Sequence, residues 1–137
     1  MSAEKMLRSR LVASAVSAAG NAYAPYSKLS VGAALLVAGC NLIVTGANVE
    51  NASYGLTLCA ERAALAAAVS AGYRRFAAIA VAASGRRPAV PCGACLQALA
   101  EFCGPDLIVL TAAGASPGRV RIFKLRDLLP RAFCFRT

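Results

Sequence analysis

Two short cysteine motifs carry the chemistry of this sequence. Pro91-Cys92-Gly-Ala-Cys95 puts two thiols on adjacent turns at the start of a helix, and Cys59-Ala-Glu61-Arg62 begins 33 residues before Cys92. The Cys-x-x-Cys spacing suits one tetrahedral zinc ion. Alone, it also fits a redox dithiol or a closed four-cysteine structural site completed by Cys103 or Cys40. Cys59 and Glu61 shift that balance. Cys59 also opens a helix, and three protein ligands leave a fourth position for water, the mark of a catalytic zinc. Glu61 lies about 200° around a regular helix from Cys59. Within a first turn, however, a carboxylate can stand beside the metal without ligating it and shuttle a proton. The chain contains no His, so acid–base and metal chemistry must come from its six carboxylates and six cysteines.

The elements that must position these groups are legible in outline. Leu7, Leu11, Val12, Ala15 and Val16 predict a helix over 3–20, stopped at Gly20-Asn21. Pro25 forces a loop, and Val31–Ala38 with Leu42–Ala47 around Gly39-Cys40-Asn41 predicts a β-hairpin. Helices are expected at Cys59–Ala71 and Cys92–Phe102. Strands are expected at Phe76–Ala83, Leu107–Thr111 and Val120–Phe123, before a helical turn at Leu125–Leu129 halted by Pro130. An opening hairpin followed by alternating helices and strands implies an α/β fold, a mixed sheet with helices over its faces. The second helix is polar only at Glu61, Arg62 and Ser70. It should therefore be buried all round, between the sheet and a second subunit.

Composition narrows the function classes. At 137 residues the chain has the size of one domain, expected to span 1–137 without linker or repeat. With 58% hydrophobic and 15% charged residues it is not a disordered chain, and such scarce polar surface favours a homo-oligomer. Its longest apolar runs fall far short of the ~20 residues of a membrane span. The charged, alanine-rich start reads as an amphipathic helix rather than a secretory signal. We therefore expect a cytoplasmic protein with reduced thiols and no membrane partner. The net charge of +9 raises nucleic-acid binding, but the 15 Lys and Arg are scattered and lack interleaved aromatics. No nucleic-acid partner is expected.

Taken together, these motifs resemble the zinc nucleoside and nucleobase deaminases, which carry His- or Cys-x-Glu followed by Pro-Cys-x-x-Cys. The likeness spans about residues 22–133 in order and spacing. It includes Ala24-Pro-Tyr-Ser27, Val31-Gly-Ala-Ala34, Gly46-Ala-Asn48-Val-Glu50-Asn51-Ala-Ser-Tyr54-Gly55, Gln97 after Cys95, and Leu128-Leu-Pro130-x-Ala-Phe133. The pattern is similar to that of the small, homotetrameric, three-cysteine cytidine deaminases. That resemblance implies a three-layer α-β-α fold with a five-stranded mixed sheet. It implies Zn²⁺ on Cys59, Cys92 and Cys95, with Glu61 as the catalytic proton shuttle. It implies a nucleoside bound by Asn48 and Glu50 at the ribose and by Leu29, Tyr54, Ala60 and Phe133 around it, Phe133 coming from a neighbouring subunit. Arg62 would donate to the thiolates, offsetting with the two helix N-termini the charge that three thiolates place on the zinc. The implied reaction is hydrolysis of cytidine and 2′-deoxycytidine to uridine and 2′-deoxyuridine with release of ammonia, a step of pyrimidine salvage.

Two positions depart from the family pattern. Leu96 stands where an Arg usually follows the second cysteine, and Leu29 where a Phe usually lies near the base. Both bear on substrate preference, so a deaminase of a modified cytosine nucleoside, blasticidin S-like or N4-substituted, is the nearest alternative reading.

Overall fold

The structure, a computed structural model, describes residues 2–114 and 116–135, with the backbone alone at 116 and 117. Helix α1 (Ala3–Ala19) is capped by Ser2, whose hydroxyl accepts from the Lys5 amide. A hairpin follows, β1 (Val31–Val37) and β2 (Ile43–Ala47), then helix α2 (Ala60–Ser70), strand β3 (Phe76–Ala83) and helix α3 (Gly93–Phe102). Strands β4 (Ile108–Ala113) and β5 (Ser116–Lys124) and a last turn, α4 (Leu125–Leu128), complete the order. The strands lie β2-β1-β3-β4-β5 in one sheet, parallel between β3 and β4 and antiparallel elsewhere. The α-β-α architecture and five-stranded mixed sheet are those expected from the sequence.

Strand alternation divides the core into two layers. Ala34, Leu36, Ala78, Ala80, Ala82, Leu110 and Ala112 meet Leu11, Val12 and Ala15 of α1. The opposite face sends Ala33, Leu35, Ile79, Val81 and Val109 against α2 and α3. β1 and β3 are buried on both faces, which is why they read as continuous apolar runs. Two glycines allow close approach. A Cβ at Gly32 would fall on the Ala15 carbonyl, and one at Gly46 on the backbone of Ala60 and Ala64. Gly46 thus lets the first turn of α2, which carries the site, rest directly on β2.

Several boundaries differ from expectation. Cys59 and Cys92 are extended N-caps, so the helices begin one residue later. Strand β5 starts at Ser116 rather than Val120, because Ser116 also pairs with β4, across a bulge that separates it from the antiparallel run Val120–Lys124. A 3₁₀ turn at Tyr54–Leu56 has no apolar period to announce it. In one chain α2 is not buried all round, since Ala66, Ala67 and Ser70 are exposed. Among the described residues, no helix is long and apolar enough to cross a membrane.

Candidate active site

The ends of three strands set the site. Register pairs Gly32 with Ala47 and Val31 with Ala83, so the start of β1 lies beside the carboxyl ends of β2 and β3. At this edge the N-termini of α2 and α3 converge. Cys59 caps α2, Cys92 caps α3, and Cys95 sits in the first turn of α3. Their three Sγ atoms lie within 4.8 Å of one another, with Cys92 and Cys95 at 3.6 Å.

These thiols fit a zinc ion. Tetrahedral Zn–S bonds of about 2.3 Å place sulfurs about 3.8 Å apart. Electrostatics agree that a cation belongs here. Burial, the Glu61 carboxylate and the Cys59 sulfur all push the Cys95 thiol well above its ordinary range. Burial also opposes ionisation of Cys92, but the N–H and thiol of Cys95, the N–H of Ala94 and the Cys59 thiol together outweigh it and hold that thiol low. One of the three thiols is thus prepared for ionisation, and a divalent ion would favour ionisation of the set. Arg62 donates to the Cys59 sulfur at 3.5 Å. Leu96 instead lies buried in the core beside Leu99, so no charge from that position reaches the sulfurs.

Among the described residues, no fourth Cys, Asp or Glu joins the three thiols. Glu61 is buried at 6% exposure on the first turn of α2, and desolvation raises its carboxyl above the usual range. It therefore holds a proton more readily than a surface glutamate. A cavity of about 220 Å³ opens over this floor, lined by Cys59, Ala60, Glu61 and Cys92 below and by Leu29, Asn48 and Glu50 at the side.

The structure thus brings together most of the residues singled out from sequence: Asn48, Glu50, Leu29, Ala60, Glu61 and the zinc thiols. Two stand apart within one chain. Tyr54 is 75% exposed and packs its ring edgewise on Tyr26, with centroids 6.0 Å apart. The Phe133 ring is 72% exposed, but its backbone is held. Gln97 pins it, donating to the Phe133 carbonyl at 3.0 Å and accepting its N–H at 3.2 Å. Sequence reasoning gave no role to Ser27, Thr57, Val31, Val81, Ala89 or Val90, which also line the cavity. Only Ser27 and Val31 had a signal, their places in Ala24-Pro-Tyr-Ser27 and Val31-Gly-Ala-Ala34.

An incomplete metal set beside a buried carboxyl group in an open cavity defines a metal-dependent hydrolytic centre, not a closed zinc knot. Residues 6–111 match the family described as the cytidine and deoxycytidylate deaminase zinc-binding region. The chain is 48% identical over 128 residues to a cytidine deaminase of Halalkalibacterium halodurans, covering 93% of this chain and 95% of that protein. It is 47% identical over 119 residues to one from Mycobacterium tuberculosis, covering 87% and 84%. Among solved structures it superposes on a Burkholderia pseudomallei cytidine deaminase with a TM-score of 0.84 at 46% identity, covering 97% of this chain and all of that one. The chain belongs to the cytidine and deoxycytidylate deaminase family and is a zinc enzyme.

Proposed function

We propose that this enzyme hydrolyses the exocyclic amine of cytidine and 2′-deoxycytidine, giving uridine and 2′-deoxyuridine with ammonia. The observation that carries the reading is the buried Glu61 beside three converging thiols, at the floor of a cavity walled by Asn48 and Glu50. Zinc, when bound, supplies the Lewis acidity that makes water nucleophilic near neutral pH. Glu61 takes one proton from the attacking water and delivers it to ring N3, then takes the second from the new C4 hydroxyl and passes it to the amine as the C4–N bond breaks.

Asn48 and Glu50 hold the sugar in this reading. The Asn48 amide accepts the Val31 N–H at 2.8 Å and donates to the Leu29 carbonyl at 2.9 Å, which leaves it one free N–H. Glu50 accepts the N–H groups of Tyr26 and Ser27 on one oxygen and the Ser27 hydroxyl on the other. Of about four acceptor sites on a carboxylate, one remains for a ribose hydroxyl. Among the described residues, the cavity lining contains two carboxylates, Glu50 and Glu61, and no Lys or Arg. A 5′-phosphate would meet like charge there, so the substrate is a nucleoside and not a nucleotide.

Loss of cytidine ultraviolet absorbance, with and without a chelator, tests the activity directly. We expect deoxycytidylate to be used at least ~100-fold less efficiently than deoxycytidine, given that like charges in a site cost several kcal/mol. Comparable kcat/KM for the two would overturn the nucleoside assignment. Fast turnover of an N4-substituted cytidine beside slow turnover of cytidine would favour the modified-nucleoside reading.

We further read the enzyme as a cytoplasmic homotetramer acting in pyrimidine salvage, in which Phe133 covers a neighbouring subunit's base. Supporting this, a large apolar ring left in water forgoes ~1.5–3 kcal/mol that burial would supply. Mixed tetramers of Phe133→Ala and Glu61→Gln subunits should regain activity, each restored site pairing its own Glu61 with a borrowed Phe133. Mixed tetramers without recovery would place Phe133 in its own chain's site.

A further inference from the structure

Glu50 does not hold its orientation by itself. Segment 23–31 is stitched to 48–50 by a series of hydrogen bonds, including Tyr23 N–H to the Asn48 carbonyl at 3.0 Å and Glu50 N–H to the Tyr23 carbonyl at 2.8 Å. Near the middle of this lacing, the Ser27 hydroxyl donates to Glu50 Oε2, while the Ser27 amide donates to Oε1 at 3.1 Å. The same hydroxyl oxygen accepts the Leu29 N–H at 3.0 Å. Between them, Lys28 takes a left-handed conformation at φ 61°, which non-glycine residues adopt at a cost. Leu29 and Glu50 both line the cavity.

We infer that Ser27 is a positioning residue for substrate binding, its single hydroxyl fixing both the Glu50 carboxylate and the Leu29 wall. This rests on the reading of Glu50 as a sugar-binding group. The relay runs one way: Leu29 N–H donates to Ser27 Oγ, and Ser27 O–H donates to Glu50. A hydroxyl that accepts one bond donates the next more strongly. It spends one lone pair of Oε2 to aim the remaining one into the cavity. Without it, Glu50 keeps two backbone donors on Oε1 but can rotate about them, and the turn at Lys28 loses the bond that offsets its strain. The charged groups facing Glu50 are few, Lys28 being the cation that acts on it. The Ser27 hydroxyl is the largest influence holding its carboxyl below the ordinary range, ahead of the amides of Ser27 and Tyr26 and of Lys28.

The experiment uses the zinc-loaded enzyme with cytidine, measuring kcat and KM separately across pH. Ser27→Ala should raise KM about tenfold, in line with loss of a hydrogen bond to a charged group, and leave kcat within about twofold. The rise of KM on the acid side should move to higher pH, because Glu50 must be ionised to accept from the sugar and has lost its strongest donor. Ser27→Thr, which keeps a hydroxyl, should restore both, whereas a misfolded loop would not recover with it. In the Glu50→Gln background, Ser27→Ala should cost less than about twofold. If Glu50→Gln raises KM and Ser27→Ala does not, or if their effects multiply independently, the positioning role is overturned while sugar binding stands. If neither changes KM, the sugar-binding reading itself fails.

Discussion

Glu61→Gln is expected to bind one zinc per chain, fold normally, and lose at least three orders of magnitude in kcat. The amide has nearly the shape of the carboxylate, so the first turn of α2 and the cavity floor stay as they are. What it lacks is the ability to take up and release a proton. General acid–base catalysis contributes ~10²–10⁴-fold per transfer, and Glu61 serves several transfers in one turnover. Its burial matters for the same reason. With 6% exposure and a carboxyl raised by desolvation, the side chain exchanges protons with the water and the ring rather than with bulk solvent. KM should change far less than kcat, since the proton moves during reaction and not on binding. Metal analysis beside steady-state kinetics decides the matter. A zinc-loaded Glu61→Gln enzyme within tenfold of the parent would remove Glu61 from the chemistry.

How much of this was legible in the sequence depends on the range of the forces involved. The zinc thiols were readable because a Cys-x-x-Cys at a helix start fixes its own geometry over four residues. The two buried strands announced themselves as apolar runs, since burial on both faces erases alternation. Strand β5 was half missed because an edge strand with Arg119 and Arg121 on its length owes its shape to pairing with β4, not to its own pattern. The exposed side of α2 was missed for a related reason. Alanines at 63, 66 and 67 carry no polarity to mark which face meets solvent in one chain and which meets another copy.

The site was legible as residues and not as connections. Asn48 and Glu50 stood out by type and spacing, but nothing local showed that segment 23–31 crosses over to bond with both. Those bonds span up to 27 positions and depend on the register between β1 and β2. Leu96 shows the opposite limit. Its sequence position beside Cys95 suggested a missing charge, whereas in the fold one step along α3 turns the side chain away into the hydrocarbon core.

The second large effect separates the three thiols from the other cysteines. Cys59→Ala, Cys92→Ala and Cys95→Ala should each abolish stoichiometric zinc and essentially all turnover. Cys103→Ala should keep both within about twofold, at the cost of a few degrees in melting temperature from lost packing. The reasoning is geometric first: three Sγ atoms within 4.8 Å form the metal set, and Cys103 is not among them. It is electrostatic second. Burial pushes the Cys103 thiol up to about 11, so at neutral pH it is a protonated, small apolar group, not a ligand. Because a metal that binds only the folded chain stabilises it, the three ligand variants should also melt more than ~10 °C below the parent. Cys59→Ala is the most discriminating of them. A redox pair of Cys92 and Cys95 would survive its loss, while a three-thiol zinc site would not. Zinc retained in Cys59→Ala would remove Cys59 from the metal set, and zinc lost in Cys103→Ala would replace the catalytic site with a closed four-cysteine centre.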